Sequence, residues 1–193
     1  MNDFLLYFKM GLYHVLDFEA YDHLLFLVAL AVVFSFNQWK KVAWLVTFFT
    51  LGHSITLSLA AYGVLKTNIS IIEFLIPTTI FITGFVNILR AKQLSSSKEN
   101  TNFVFALFFG CIHGLGFSNY FKMMVSRGES KILPLLEFAL GIEFAQVIIV
   151  CGVLVLGTIF QNFLNVSKRD WVLVISAIVI GFSLSMMTAR VFW

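Results

Sequence analysis

The run ILPLLEFALGIEFAQVIIVCGVLVLGTIFQNF, residues 132–163, decides the fold class of this chain. It is almost wholly apolar over more than the roughly 20 residues that an α-helix needs to cross a hydrocarbon core about 30 Å thick. Such a run predicts a transmembrane helix. It is long enough to tilt strongly, or to continue as an interfacial helix through Gln161 and Asn165.

The rest of the chain repeats this pattern, since 60% of its 193 residues are hydrophobic, only 12% are charged, and the mean hydropathy is +0.93. We therefore predict an all-α, polytopic membrane protein. Five further apolar runs occupy residues 20–37, 42–65, 69–90, 102–126 and 171–192. We expect one domain over 1–193, in which residues 1–19 form an interfacial or re-entrant segment and residues 20–193 form a bundle of about six transmembrane helices.

The composition also excludes several classes of protein. Little sequence is left outside the apolar runs for a separate catalytic domain, and the formal charge of +3 suits a lipid surface rather than a nucleic acid. Cys111 and Cys151 fall inside apolar runs, where small thiols pack and a disulfide is not expected. We expect no removable signal peptide, because the start lacks a cationic region. No internal repeat of fixed period is evident, and a polar hinge is expected at residues 92–100.

Orientation follows from the basic residues. If six helices alternate, lysine and arginine cluster at the helix ends on the face opposite the N-terminus. The positive-inside rule then places the N-terminus outside the cytoplasm of a multi-pass protein of the cell (inner) membrane. A homo-oligomer or a partner membrane protein stays open.

Histidine gives the strongest indication of function. All four histidines, at positions 14, 23, 53 and 113, lie in or beside membrane-length apolar runs. A polar group at that depth is costly, so each implies a partner, a water-filled cavity or a metal. With Asp22 and Glu143 they concentrate in the half of the membrane nearer the N-terminus. This asymmetry predicts a polar cavity that opens to the N-terminal face and is closed by apolar side chains on the other.

Four sequence segments resemble motifs of the HupE/UreJ membrane proteins, especially the second, shorter branch of that family. The first is His14 followed by YDHLLF at 21–26. The others are FTLGHSITL at 49–57, GCIHGLGF at 110–117 and FALGIEFAQ at 138–146. They recur in order and span most of the chain. The chain departs from the pattern at residues 19–21 and at Ala139, which weakens the case for a polar ligand at the latter position.

What the resemblance implies is a permease for nickel or a related divalent metal, because members of the family are linked to hydrogenase and urease gene sets. The ligand chemistry is compatible, since neutral imidazole and carboxylate suit nickel, zinc, copper or iron. His23, His53 and His113 with Asp22 or Glu143 would make a four- or five-coordinate site if their helices converge. His14 is a further candidate ligand. Glu73 and Glu137 are candidate acceptors behind the ligands, or an entrance that attracts cations.

Two alternatives stay open at this point. A single intramembrane histidine can simply hold two helices together by a hydrogen bond. The same residues could also hold the zinc of an intramembrane hydrolase acting on a lipid or acyl substrate, in which Ser54, Asp22 and Glu143 would take the catalytic roles. We prefer transport on the strength of the resemblance.

The spacing GCIHG at 110–114 also predicts a close-packing face that would bring His113 against a neighbouring helix.

Overall fold

Every regular element of the described chain is helical in the computed structural model, which describes residues 3–17, 21–65, 68–92, 103–124 and 131–192. The helices are α1 (Asp3–Leu16), α2 (Asp22–Ala31), α3 (Trp39–Ala61, preceded by a 3-10 turn at Phe36–Gln38), α4 (Ile69–Arg90), α5 (Phe103–Gly116), α6 (Ser118–Met124), α7 (Ile132–Asn162) and α8 (Lys168–Ala189). The predicted class, an all-α membrane bundle, is confirmed.

We expected about six membrane-spanning helices. In the described residues, four unbroken helices are long and apolar enough to cross a membrane: Phe36–Ala61, Ile69–Arg90, Ile132–Asn162 and Lys168–Ala189. Within the described part of the run at 20–37, the α-helix covers the 10 residues of α2, which rise about 15 Å, or half a hydrocarbon core. The run at 102–126 is interrupted at Phe117, between α5 and α6.

Two of the long helices begin at side-chain caps. The Asn68 side chain accepts a hydrogen bond from the Ser70 N–H (3.1 Å) ahead of α4, and the Ser167 side chain accepts one from the Asp170 N–H (3.1 Å) ahead of α8. Each cap satisfies one of the N–H groups that a helix start leaves without a partner. The sequence therefore fixes both starts locally.

Helices α3 and α5 are in direct backbone contact. Gly110 faces the carbonyl of Phe49, and Gly114, one turn on, faces the carbonyl of His53, so the two helices run in the same direction. A Cβ at either glycine would overlap those carbonyl oxygens. The Thr56 hydroxyl also donates to the Cys111 carbonyl across the pair (2.8 Å). This is the small-residue packing that membrane helices use in place of a hydrophobic driving force.

Helix α7 runs antiparallel to α3. Near the end of α3, the Ala61 carbonyl accepts a hydrogen bond from Lys131, which precedes α7 (2.8 Å), whereas Thr47, near the start of α3, donates to Glu143 further along α7 (2.6 Å). We call the side of the bundle where α3 ends and α7 begins the near face, and the opposite side the far face.

Helix α8 runs antiparallel to α4. At the near face, Arg190 follows the end of α8 and donates to the carbonyl of Glu73 in the first turns of α4 (3.4 Å). Closer to the far face, Gly84 of α4 packs against Ser176 in the first half of α8. Helix α2 joins this pair, because the Asn87 amide donates to the Ala29 carbonyl (2.7 Å).

The segment expected to be interfacial or re-entrant is α1, and it packs lengthwise on α7. Gly11 meets the carbonyl of Phe138, and Gly141 meets the carbonyl of Phe8. Val15, in its last turn, is fully buried. Residues 18–20 lie outside the described chain, as does most of the predicted hinge at 92–100. The domain limits stay a prediction.

Candidate metal site

The four histidines converge in the interior of the bundle. The His14 ring lies 4.6 Å from that of His23 and 5.7 Å from that of His53, centroid to centroid. The His23 ring lies 5.9 Å from His53 and 5.2 Å from His113. One ring nitrogen from each of His14, His23 and His53 falls within 4.8 Å of the others. We call these four side chains the imidazole cluster.

Each histidine of the cluster comes from a different helix. His14 and His113 both lie in the last turn of a short helix, α1 and α5. His23 is the second residue of α2, and His53 lies past the middle of α3. The cluster therefore sits where the chain breaks between α1 and α2 and between α5 and α6. Broken backbone at membrane depth is tolerated only inside protein or beside a polar cavity.

Asp22 orients His23. The His23 Nδ1 lies 2.9 Å from Asp22 Oδ1, and an ionised carboxylate only accepts, so Nδ1–H donates. The backbone N–H of His23 donates to the same oxygen (2.8 Å). Arg190 contacts the other oxygen, Oδ2, at 3.5 Å. This leaves the lone pair of His23 on Nε2, the arrangement usual behind a metal-ligating histidine.

His113 is fixed in the same tautomer by the backbone. Its Nδ1 donates to the carbonyl of Phe109 at 2.9 Å, because a carbonyl can only accept. Its lone pair is therefore also on Nε2. His53 makes no side-chain hydrogen bond, since both of its ring nitrogens are buried without a partner.

The cluster leaves several buried nitrogens unsatisfied. Within the described chain, the buried ring nitrogens without a hydrogen-bond partner are Nε2 of His14, His23, His53 and His113, together with Nδ1 of His53. Leaving one buried polar group unpaired costs about 1–3 kcal/mol, so unpaired groups are rare in folded proteins. Four imidazoles with unpaired nitrogens in one place need a common explanation.

A divalent metal fits this donor set. Metal–nitrogen bonds are about 2.0–2.1 Å long, so two nitrogens bound to one ion lie roughly 3–4 Å apart. Nitrogens already within 4.8 Å of one another need only small side-chain rotations to reach that spacing. His14, His23 and His53 could hold the ion, and His113 is the nearest source of a fourth nitrogen.

Glu143 was predicted as a ligand, and its one described hydrogen bond lies elsewhere. Its Oε1 accepts from the Thr47 hydroxyl at 2.6 Å, and its Oε2 is buried without a hydrogen-bond partner. One turn further, the Thr50 hydroxyl donates to the fully buried Gln146 (2.8 Å). Glu143 thus belongs to a set of polar side chains that joins α3 to α7 next to the cluster. Its role as a ligand stays a prediction.

The remaining candidates occupy different places. Glu137 is buried, whereas Glu73 is exposed. Ser54, which follows His53 on α3, is half-buried, and none of its described contacts brings it to the imidazole cluster. Asp22 contacts the cluster as the hydrogen-bond partner of His23.

Sequence reasoning missed Arg190 and the aromatic rings around the cluster. Arg190 looks like a terminal basic residue in the sequence, and only the antiparallel packing of α8 brings it to Asp22. Stacked Phe117 and Phe138 (5.0 Å) cover His14 on the near side, and stacked Phe26 and Phe49 (4.7 Å) lie against His113 on the far side. No polar signal marks these rings among the 23 phenylalanines.

A cavity of about 370 Å³ approaches the cluster from the far side. Its walls are the last turns of α2 and α4 and the start of α5, with Arg90 on its lining and Phe26 and Phe109 at its inner part. The Phe26 ring lies 5.3 Å from that of His113, so one layer of aromatic rings separates cavity from cluster. The predicted opening to the N-terminal face stays a prediction.

Comparison with known proteins gives the family. Residues 1–191 match the family model described as HupE / UreJ protein, so nearly the whole chain is covered. The chain belongs to the HupE/UreJ family, as the four motifs predicted. No curated relative and no solved structure matches it.

Proposed function

We propose that this protein is a permease for a divalent transition metal of the nickel type, and that the imidazole cluster is the site where the ion rests within the membrane. The observation that carries the proposal is the set of unpaired, buried ring nitrogens on four separate helices. One transported ion would give a partner to one such nitrogen on each of the four rings. The family is linked to nickel and cobalt transport, which favours the same cargo.

The residues around the cluster suit a cation that enters and leaves. Imidazole is a neutral ligand, so the ion keeps most of its charge, and Asp22 supplies compensation through His23. His14 and His113 lie in the last turn of their helices, where the carbonyl end of the helix dipole favours positive charge. Because His14 and His113 lie at the ends of the short helices α1 and α5, small movements of α1 or α5 would weaken the site and release the ion.

Uptake by purified protein in proteoliposomes tests the proposal. We expect saturable uptake of labelled nickel, lost in His53→Ala and in His113→Ala, because each change removes a nitrogen from the cluster. Gln161→Ala is the matched control, since the described hydrogen bond of Gln161 lies within α7, to the Gly157 carbonyl (2.9 Å). This variant should transport normally. Detergent-solubilised variants must elute as the native protein does, so that loss of flux is not loss of fold.

The hydrolase alternative gives the opposite result in this experiment. It predicts protein that retains zinc tightly, moves no ion at any concentration and cleaves a lipid or acyl ester in a manner that depends on His113 and Ser54. Metal-loaded protein with that behaviour would refute the permease proposal.

A further inference from the structure

Two pairs of helices in the bundle make the same contact. Gly11 of α1 meets the carbonyl oxygen of Phe138 on α7, and Gly110 of α5 meets the carbonyl oxygen of Phe49 on α3. In both pairs a histidine follows the glycine by three residues and enters the cluster. The α1–α7 pair is therefore a structural copy of the α5–α3 pair.

The reverse contacts agree atom by atom. Gly141 of α7 meets the carbonyl oxygen of Phe8 and the amide of Leu12, and Gly52 of α3 meets the carbonyl oxygen of Leu107 and the amide of Cys111. The matched atoms have the same order of distance in both pairs. The same close glycine–backbone contacts therefore occur in both helix pairs.

Short sequence matches follow the same correspondence and recur in the same order. They are GLYH at 11–14 with GCIH at 110–113, FTLG at 49–52 with FALG at 138–141, and GF at 84–85 with GF at 181–182. The chain thus consists of two repeats, α1 to α4 and α5 to α8. The distance between equivalent residues varies along the chain, which hides the repeat from any search at a fixed period.

The two repeats have opposite directions in the bundle. Helix α3 is antiparallel to its counterpart α7, and α4 is antiparallel to its counterpart α8. In each repeat the first span consists of two short helices. At 1.5 Å per residue their lengths add up to about 36 Å for α1 and α2 and about 32 Å for α5 and α6, which is comparable to a hydrocarbon core. Inverted repeats with broken helices at a central site are the architecture of many secondary transporters.

The aromatic rings that enclose the cluster follow this symmetry in part. Phe49 and Phe138 are equivalent, and each stacks on a phenylalanine from a broken span, Phe26 at 4.7 Å and Phe117 at 5.0 Å. Those two partners are not at matching positions, since Phe26 lies within α2 and Phe117 precedes α6. Phe49 precedes His53 on a helix that runs toward the near face, so its pair covers the far side. Phe138 precedes the centre of α7, which runs toward the far face, so its pair covers the near side.

We propose that Phe26–Phe49 and Phe117–Phe138 are two gates of an inverted-repeat transporter, which open in turn on the far and the near side of the imidazole cluster. The inference rests on the proposed transport function. The far gate already borders the cavity of about 370 Å³, which gives an ion leaving past Phe26 a space to enter. Exchange of the conformations of the two repeats would place the equivalent space at the near face.

Side-specific accessibility tests the gates without any metal. The reporter is Ile142→Cys, because Ile142 is fully buried and is the counterpart of His53, in a background with Cys111→Ser and Cys151→Ser. A membrane-impermeant thiol reagent is added to each face of oriented vesicles. Phe138→Ala should raise the modification rate from the near face, and Phe49→Ala from the far face, each by about tenfold or more, because truncation removes a buried aromatic pair.

Phe85→Ala and Phe182→Ala are the matched controls, since both rings are about half exposed on the outside of the bundle and are themselves equivalent. They should leave the rates unchanged. Phe49→Leu and Phe138→Leu, which keep more of the packing, should give smaller rises with the same sidedness. Rates that match the controls, or rises from one face for both gates, would overturn the proposal.

The readout separates this inference from the proposed function. Sided rises in accessibility with no metal uptake would leave the gates standing and remove the permease. Metal uptake without a sided rise in accessibility would support the permease and refute the gates.

Discussion

Asp22 offers the sharpest test of how the cluster is organised, because it contacts the cluster through its hydrogen bond with His23. In Asp22→Ala the His23 Nδ1–H loses its acceptor at 2.9 Å, and the ring is free to turn or change tautomer. Removing such a partner typically lowers metal affinity about 10- to 100-fold, or about 1.4–2.8 kcal/mol. Asp22→Asn keeps a hydrogen-bond acceptor for His23 but loses the charge. Its loss of nickel affinity should therefore lie near the lower end of this range, about 10-fold.

The assay is competition for nickel against a calibrated chelator in detergent, with Asp170→Asn as the control. Asp170 is also a hydrogen-bonded carboxylate, paired with Ser167 at 2.7 Å, but it lies at the start of α8 away from the cluster. Its replacement should leave nickel affinity unchanged. The reasoning is refuted if Asp22→Ala binds nickel as tightly as the native protein, or if Asp22→Asn loses as much as His23→Ala.

Further predictions concern stability. Gly52→Val should lower the melting temperature sharply, because the new side chain meets the Leu107 carbonyl. Gly152→Val is the control, since there is open space around Gly152, and it should leave the melting temperature unchanged. Equal shifts in melting temperature would contradict the packing. Thr50→Val should cost about 0.6 kcal/mol and at most about 1.7, the range for interhelical hydrogen bonds in membranes, by steric-trap or denaturant unfolding. Nickel at 100 times its dissociation constant should stabilise the native protein by about 2.7 kcal/mol, an effect that a chelator reverses and His53→Ala lacks.

The class of fold was predictable because hydrophobicity over membrane length is a strong signal that needs no tertiary information. The short length of α2 within the first predicted span and the break in the fourth were not. Windows of apolar residues cannot distinguish one helix from two short helices in line, since a break at Phe117 keeps the same hydropathy on both sides. The cost of the unpaired backbone at such a break is met only by the neighbours that the fold supplies.

The site was predictable in part for a similar reason. Imidazoles are costly at membrane depth, so His14, His23, His53 and His113 stand out from the sequence. Glu143 stands out for the same reason, and yet its described hydrogen bond is to Thr47. The depth of a residue in the membrane does not predict which direction its side chain takes around the helix axis. A carboxylate at the depth of the cluster can therefore face another partner.

The repeats differ at the cluster, and the difference has a consequence for any alternating mechanism. His14 and His113 are equivalent, but the residue after the matched glycine is His53 on α3 and the buried Ile142 on α7. The hydrogen bonds from Thr47 to Glu143 and from Thr50 to Gln146 likewise lie toward the far side, where the equivalent near-side positions are Leu136 and Ala139. If the two repeats exchanged conformations, the resulting state would therefore not have the same free energy as the first. The two facing states must differ in stability, so a ligand that prefers one of them shifts the population toward one face of the membrane.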